Sequence, residues 1–390
     1  MNLSRRAQRL AESATLRVSR KAAELRAAGR EIVDFSAGQP DFPSPRVAVE
    51  AARQALADGF TRYTAAAGIP DLRTALARRY ADAYGAPWTI DNTVVTVGGK
   101  AALFELIMTL VDDGDEVVLP SPAWVSFPEQ IRLAGGRPVA VPTDPGDGFA
   151  IRAEPLLAAI TDATRMVLVN SPCNPTGGIL AAADLRRIVE TCAERGIVVL
   201  SDETYERFLF DGGEYASAAA LAGEFPEAVI VVGSFSKTYA MTGWRIGYAL
   251  GDAALIKKTA AVQSHVTSNA TSFAMRGALA ALEGAEDDVR RMIAEFRWRR
   301  DYVVGRLRRL PGVECLPPAG AFYVFPDVSA CYGDGRRGSV ELAEYLLETA
   351  GVAVVPGIAF GADDHVRISF ACSRQDLETG MDRIEVALRD

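Results

Sequence analysis

An alternation constrains the fold of this chain more than any other feature. Short β-branched runs, Thr93 to Val97, Glu116 to Leu119, Met166 to Asn170, Ile197 to Asp202 and Ala228 to Gly233, recur between segments with helical spacing of apolar residues. The helical segments are Ala101 to Leu110, Phe127 to Leu133, Ala182 to Arg195 and the stretch after Ala253. Strand, crossover helix, strand is the pattern of an α/β unit, and it predicts buried strands in a mostly parallel sheet flanked by helices. A long charged helix over Asp287 to Leu310 then leads into a different texture. Beyond it, Gly320 to Phe325, Val352 to Val355 and Val366 to Phe370 read as strands around a helix at Val340 to Thr349, a smaller α+β unit. An arm and an amphipathic helix from Leu16 to Ala28, stopped by Gly29, precede all of this. The expected division is a large domain over 41–289 and a small domain built from 1–40 together with 290–390.

The 390 residues and 49% hydrophobic content suffice for two such cores. A formal charge of −8 gives no global positive field to hold nucleic acid or an anionic membrane. With only two histidines, His265 and His365, multi-histidine metal cages are excluded and no metal site is expected. The five cysteines, Cys173, Cys192, Cys315, Cys331 and Cys372, form no CxxC pair, which predicts reduced thiols and a cytoplasmic protein. Apolar runs such as Val229 to Val232 are strand-sized, so a soluble chain is expected. Arg5, Arg6, Arg9, Arg17 and Arg20 imitate a mitochondrial presequence, but Glu12 and Glu24 argue against one.

In a doubly wound sheet the chemistry belongs at the carboxyl ends of the strands. Three polar clusters fall there. Asn170-Ser171-Pro172-Cys173-Asn174-Pro175-Thr176-Gly177-Gly178 follows one strand, and a plain turn would explain its prolines and glycines better than the amide of Asn174. Asp202-Glu203-Thr204-Tyr205 closes a second strand, where a carboxylate could equally cap a helix. The third, Ser234-Phe235-Ser236-Lys237, continues through Thr242-Gly243-Trp244 to Arg245. A lysine just past a buried strand is poorly placed for solvent, and hydroxyls with an arginine suit a phosphate ester. Partly desolvated among cations, such a lysine becomes nucleophilic and can condense with an aldehyde. With an aldehyde cofactor present, Asp202 can keep a pyridine nitrogen protonated, Asn174 and Tyr205 can bond its phenolate oxygen, and Ser234, Ser236 and Arg245 can take its phosphate. Gly98-Gly99-Lys100-Ala101 opens a helix after a strand, so backbone N–H groups at Gly99, Lys100 and Ala101 offer a further anion site. Trp124 could stack on the ring face or simply fill the core. Arg367, inside the strand His365 to Phe370, wants a carboxylate that its planar fork can grip.

On these residues the chain resembles a class I pyridoxal-phosphate aminotransferase, in the bacterial branch that includes aspartate and prephenate aminotransferases. The likeness runs from Ser36-Ala37-Gly38-Gln39-Pro40-Asp41-Phe42 through Tyr63-Thr64-Ala65-Ala66-Ala67-Gly68 to the Arg367 strand, and Ser234 to Gly247 is similar to the lysine signature of the family. The resemblance implies a fold-type I homodimer with shared active sites, pyridoxal 5'-phosphate carried by Lys237, and ping-pong exchange between amino acids and 2-oxo acids. By the same resemblance Tyr63 would reach the phosphate of the neighbouring subunit and Gly38 would contact the substrate carboxylate.

In aspartate-selective members of this branch a lysine at the place of Lys100 recognises the distal carboxylate. A cation is electrostatically unfavourable at a helix N-terminus, which favours a functional reading of Lys100 over a solvated one. Ala11 stands where prephenate-using members carry a lysine, and Ala123 and Phe127 stand where relatives commonly have tyrosines, which predicts a roomier or less polar pocket beside Trp124. The expected reaction moves an amino group between aspartate or glutamate and 2-oxoglutarate or oxaloacetate. A specialised aminotransferase for an aromatic or neutral amino acid is the nearest rival, and a lyase using the same Lys237 is a more distant one. A regulator would need a fused DNA-binding module, for which no room precedes Gly38.

Overall fold

A computed structural model describes residues 2–4, 7–8, 10, 14–333 and 337–389. Arg5, Arg6, Arg9, Ala11 and Glu12 lie outside the described residues. The strands, in chain order, are β1 (Val33–Asp34), β2 (Thr93–Thr96), β3 (Glu116–Ser121), β4 (Arg137–Pro142), β5 (Thr164–Asn170) and β6 (Val198–Asp202). They continue as β7 (Val229–Ser234), β8 (Gly247–Leu250), β9 (Tyr323–Val324), β10 (Val352–Ala353), β11 (Val355–Pro356) and β12 (Val366–Ser369). Seven of them form one sheet in the order β2-β8-β7-β6-β5-β3-β4.

The expected α/β architecture is present. β2, β6 and β7 are buried at every position, as strands covered on both faces must be. Alternate residues feed two cores: Val167, Val169, Val199 and Val231 face one helix layer, while Met166, Leu168, Leu200 and Val232 face the other. Pairing of β5 with β6 sets Asn170 beside Asp202, and β7 ends on Ser234 in the neighbouring parallel strand. Three polar strand ends are thereby brought to one edge of the sheet.

β8 departs from the sequence expectation, which placed no strand there. It runs antiparallel between β7 and β2, with Gly247 opposite both Ser234 and Thr96. The link from β7 to β8 holds only a single helical turn, Phe235–Thr238, and a 3₁₀ turn, Thr242–Trp244, and neither can carry the chain back along the sheet as a parallel crossover requires. Reversal puts the amino end of β8, and Arg245 before it, at the same edge as Ser234. Gly247 is required there, because a Cβ would run into the backbone of Gly98 and Gly99.

Several other boundaries shift. β4 and the helices Arg46–Ala57 and Pro70–Tyr84 had no counterpart in the sequence reading, while the helical stretch after Ala253 is two helices, Ala253–Val266 and Ser272–Gly284. The expected strand over Gly320 to Phe325 shrinks to β9, since Ala321 takes a left-handed backbone with φ 59°. Val352 to Val355 divides in two: β10 pairs with β1, and β11 pairs with β12. The helix expected over Val340 to Thr349 is Ser339–Tyr345, widened into a π-turn over Leu346–Ala350. The long charged helix spans Glu286–Leu307, and the N-terminal helix Ala14–Ala27 ends before Gly29 at φ 86°.

A second core gathers Phe35, Phe296, Phe322, Phe370, Leu377 and Ile384 around β9 and β12. Tyr205 and Phe208, which follow β6, also belong to it, so the edge of the large sheet is tied to this smaller unit by buried aromatic packing. Among the described residues, no helix is long and apolar enough to cross a membrane.

Candidate active site

A cavity of about 330 Å³ opens where β5, β6 and β7 end and the smaller unit meets them. Gly38, Gly99, Lys100, Trp124, Asn174 and Asp202 line it, and Tyr205, Ser234, Ser236, Lys237, Arg245 and Arg367 complete the same wall. Ala101, expected at this site, does not line it: its N–H turns back to the carbonyl oxygen of Gly98 at 3.0 Å. Tyr63, expected to serve the neighbouring subunit's site, stands on the surface, 88% exposed. The other expected anion donors, Gly99 and Lys100, remain at the cavity.

Backbone bonds fix the loop after β5. Cys173 donates its N–H to Gly178 at 2.8 Å and Gly177 donates back to Cys173 at 2.8 Å, which presents Asn174 at the strand end. Asn170 helps in a way the sequence reading did not assign: its Oδ1 accepts from the N–H of Asn174 at 2.9 Å, and its Nδ2 donates to the carbonyl of Asp202 at 3.1 Å. Asp202 accepts the N–H of Thr204 at 3.1 Å. Burial raises its carboxyl to about 6, against the lowering effect of Thr204 and Lys237.

Ser234 ends β7 and caps the single-turn helix that carries Lys237, its Oγ accepting from the N–H of Ser236 at 3.1 Å. Lys237 donates to the carbonyl oxygen of Gly38. Its ammonium is lowered to about 7, first by burial, then by Arg367, Arg245 and Lys100, with Asp202 opposing. A substantial share of this lysine is therefore uncharged near neutral pH, where most lysines are fully charged. Arg245 sits in the left-handed region at φ 56° and lays its guanidinium against Gly98, itself at φ 82°. Glycine suits that backbone, which L side chains rarely adopt, and a Cβ there would displace the Arg245 guanidinium.

Arg367, on β12, is 2% exposed. Its Nη1 donates to Asn174 Oδ1 at 2.9 Å and its Nη2 to the carbonyl of Ser36 at 2.8 Å, while Nε is buried without a partner. Among the described residues no carboxylate pairs with it, and burial lowers its pKa. Lys100, Lys237, Arg245 and Arg367 thus face a single lining carboxylate, Asp202. Basic groups that outnumber the carboxylates around a cavity form a receptor for anions.

Lys100 holds its ammonium 4.7 Å from the ring centre of Trp124, and its pKa is lowered by desolvation and by Arg245. Trp124 in turn meets the edge of Phe127 at 5.3 Å. Neither Ala123 nor Phe127 lines the cavity; Phe127 is core, 2% exposed, and packs against Trp124, which does line it. Sequence reasoning passed over Tyr323 and Ser126 and gave no role to Thr204 and Thr242, all of which line the cavity. An aromatic inside a short strand gives no signal that separates a site residue from core.

Residues 30–384 match the family described as aminotransferase class I and II. A probable aspartate/prephenate aminotransferase of Aquifex aeolicus is 43% identical over 390 residues, covering 100% of this chain and 99% of the relative. An aspartate aminotransferase of Geobacillus stearothermophilus is 42% identical, with 98% of each chain covered. Among solved structures, the aspartate aminotransferase of Thermus thermophilus with maleate superposes at a TM-score of 0.94 with 43% identity, over 99% of this chain and 100% of that one. With the lysine, the two arginines and the strand-end carboxylate gathered at one sheet edge, the chain belongs to the aminotransferase class I and II family.

Proposed function

We propose that this protein is a pyridoxal-phosphate-dependent aminotransferase that exchanges an amino group between aspartate or glutamate and a 2-oxo acid, 2-oxoglutarate or oxaloacetate. The observation that carries the reading is Arg367: a buried guanidinium with an orphaned Nε, opening on the cavity that also holds a lysine whose ammonium is lowered to about 7. A carboxylate supplies what that guanidinium lacks, and the second carboxylate of an acidic substrate has Lys100 to meet. Relatives at about 40% identity named as aspartate aminotransferases, and a maleate-containing structure of one, support a dicarboxylic substrate.

The residues present fit the cofactor. Ser234, Ser236, Arg245 and the N–H groups at Gly99 and Lys100 would hold its phosphate, Asp202 its ring nitrogen, Asn174 and Tyr205 its ring oxygen, with Trp124 against its face. Pyridoxal phosphate, when bound, supplies an aldehyde to receive the amino group and a protonated ring that draws electrons from the substrate α-carbon. Lys237 would do the proton work: its uncharged Nζ would take the substrate α-proton, hold it as an ammonium, and give it up to the carbon that accepts it in completing the transfer. Arg367 would orient the substrate by its α-carboxylate, and Gly38 would border that carboxylate.

The division into 41–289 and 1–40 with 290–390 belongs to the same proposal, supported by the separate aromatic core around β9 and β12. So does the homodimer, in which the outward Tyr63 would complete the site of the partner. Cytoplasmic location is proposed on the five cysteines, none of which forms a disulfide.

An amino-donor screen against 2-oxoglutarate and oxaloacetate tests the reading. Aspartate and glutamate should lead, and a protein active only on neutral or aromatic donors would overturn the acidic substrate. Lys100→Ala refines it. Lys100 is exposed in the single chain, which places its worth between a solvated and a buried pair, so kcat/KM for aspartate and glutamate should fall about tenfold more than for alanine or phenylalanine, roughly 1.4 kcal/mol. Equal losses across both groups would assign Lys100 to cofactor or fold.

The lowered ammonium of Lys237 gives a pH prediction. Only the neutral amine attacks an aldehyde, so the rate at which the cofactor-free protein captures pyridoxal phosphate should rise with pH through about 7, the value to which burial and the neighbouring cations bring it. Capture trapped with borohydride at a series of pH values gives the midpoint. A midpoint near the ordinary lysine value would mean that the site does not desolvate the group.

A further inference from the structure

We infer that Tyr323 is a positioning residue for the reaction, linking the hydroxyl of Tyr205 to the face of Arg367. The inference rests on the proposed function and extends it to a residue assigned no role above. Four observations converge on Tyr323, which is 1% exposed. Its Oη lies 2.9 Å from Oη of Tyr205 in a buried hydrogen bond. The guanidinium carbon of Arg367 stands 4.4 Å above its ring centre. A Cβ built on Gly38, whose carbonyl accepts from Lys237, would come within 3.0 Å of the Tyr323 hydroxyl, so glycine at 38 leaves that hydroxyl its room. Finally, β9 is entered through Ala321 in the left-handed region at φ 59°, with its N–H held by the carbonyl of Phe208 at 2.9 Å. A non-glycine residue held there costs free energy that the surrounding packing must offset, and such strain concentrates at functional sites.

The physical consequence follows from counting protons. Each tyrosine has one hydroxyl proton and an oxygen able to accept. Once Tyr205 turns its proton toward the ring oxygen of the cofactor, the 2.9 Å contact persists only if Tyr323 donates to Tyr205. A donor behind Tyr205 polarises its O–H and strengthens the bond it makes in front, an effect on the order of 10–30% per bond. Tyr323 therefore favours the deprotonated ring oxygen through Tyr205. With the ring of the same residue it supplies a flat π-face beneath Arg367, fixing the fork that grips the α-carboxylate. One side chain thus registers the substrate-carboxylate reader against the cofactor-oxygen donor, without touching the reacting atoms.

Tyr323→Phe keeps the ring and removes the hydroxyl, whereas Tyr323→Leu removes both. In the cofactor-loaded protein, the pH midpoint of the visible cofactor absorption should rise by about 0.3–0.6 pH unit in Tyr323→Phe, while KM for aspartate changes less than about twofold. Tyr323→Leu should show that rise together with a KM increase of roughly fivefold, from loss of the π-face beneath Arg367. Thermal unfolding and near-ultraviolet circular dichroism of both variants check that they are folded. An unmoved midpoint in Tyr323→Phe, on a wild-type band that does titrate, would overturn this inference and leave the proposed function standing. A change in KM without a shift in midpoint would overturn it too, reducing Tyr323 to a platform for Arg367. A wild-type protein that takes up no pyridoxal phosphate would instead overturn the proposed function, and the inference with it.

Discussion

Lys237→Ala is expected to lower turnover by roughly 10⁴-fold or more while leaving a folded protein that still takes up pyridoxal phosphate without a covalent link. The size follows from the double role: no other lining amine can both join the aldehyde and carry the α-proton, since Lys100 holds its ammonium over Trp124. Folding should survive, because truncation removes one hydrogen bond to the Gly38 carbonyl and also an amine that burial and three neighbouring cations disfavour as a charge. Borohydride reduction of the wild-type protein followed by peptide mapping checks the assignment. Reduced cofactor found on Lys257 or Lys258, both on the helix Ala253–Val266, would contradict it.

Asp202→Asn should separate chemistry from binding. The carboxylate ends β6 in a buried position, 4% exposed, where the side chain and N–H of Thr204 and the charge of Lys237 favour its ionised form. A protonated pyridine nitrogen opposite it would form a desolvated ion pair, and truncating one partner of such a pair costs about 2–5 kcal/mol. An amide of the same shape keeps the space and the Thr204 bond but cannot hold the nitrogen protonated. Turnover should fall roughly 10²–10³-fold, while cofactor affinity falls less than about tenfold. Turnover close to wild type would refute the role. Acid acts in the same direction. The folded carboxyl titrates at about 6, above its ordinary value, so in the cofactor-free protein the negative charge at this strand end is lost as pH falls through about 6.

The sequence disclosed the site where polarity interrupts an apolar run. Asn174, Asp202 and Lys237 each follow a strand of buried valines and leucines, so neither a surface loop nor a core accounts for them, and the parallel register brings their strand ends together. Arg367 was legible for the same reason, as a charge inside a strand. What the sequence concealed depends on chain reversal and on packing between units. β8 is short and rich in small residues, Gly247 and Ala249 among them, and its antiparallel course is a property of the link before it. The π-turn at Leu346–Ala350 and the exchange of sheets between β10 and β11 are likewise answers to tertiary packing. Tyr323 was hidden because its place beside Tyr205 joins residues 118 positions apart. Phe127 is core and packs against Trp124 from behind the cavity wall, a placement that only the folded helix reveals.

The most direct measurement of the central claim is a single half-reaction. The protein loaded with pyridoxal phosphate is mixed with L-aspartate and no 2-oxo acid, and products are counted per site. Transfer to the cofactor predicts one equivalent of oxaloacetate, conversion of the cofactor to its amine form, and no further turnover until 2-oxoglutarate is added. Continuous product release from aspartate alone, with the cofactor still an aldehyde, would contradict amino-group transfer and point to a lyase or decarboxylase at Lys237.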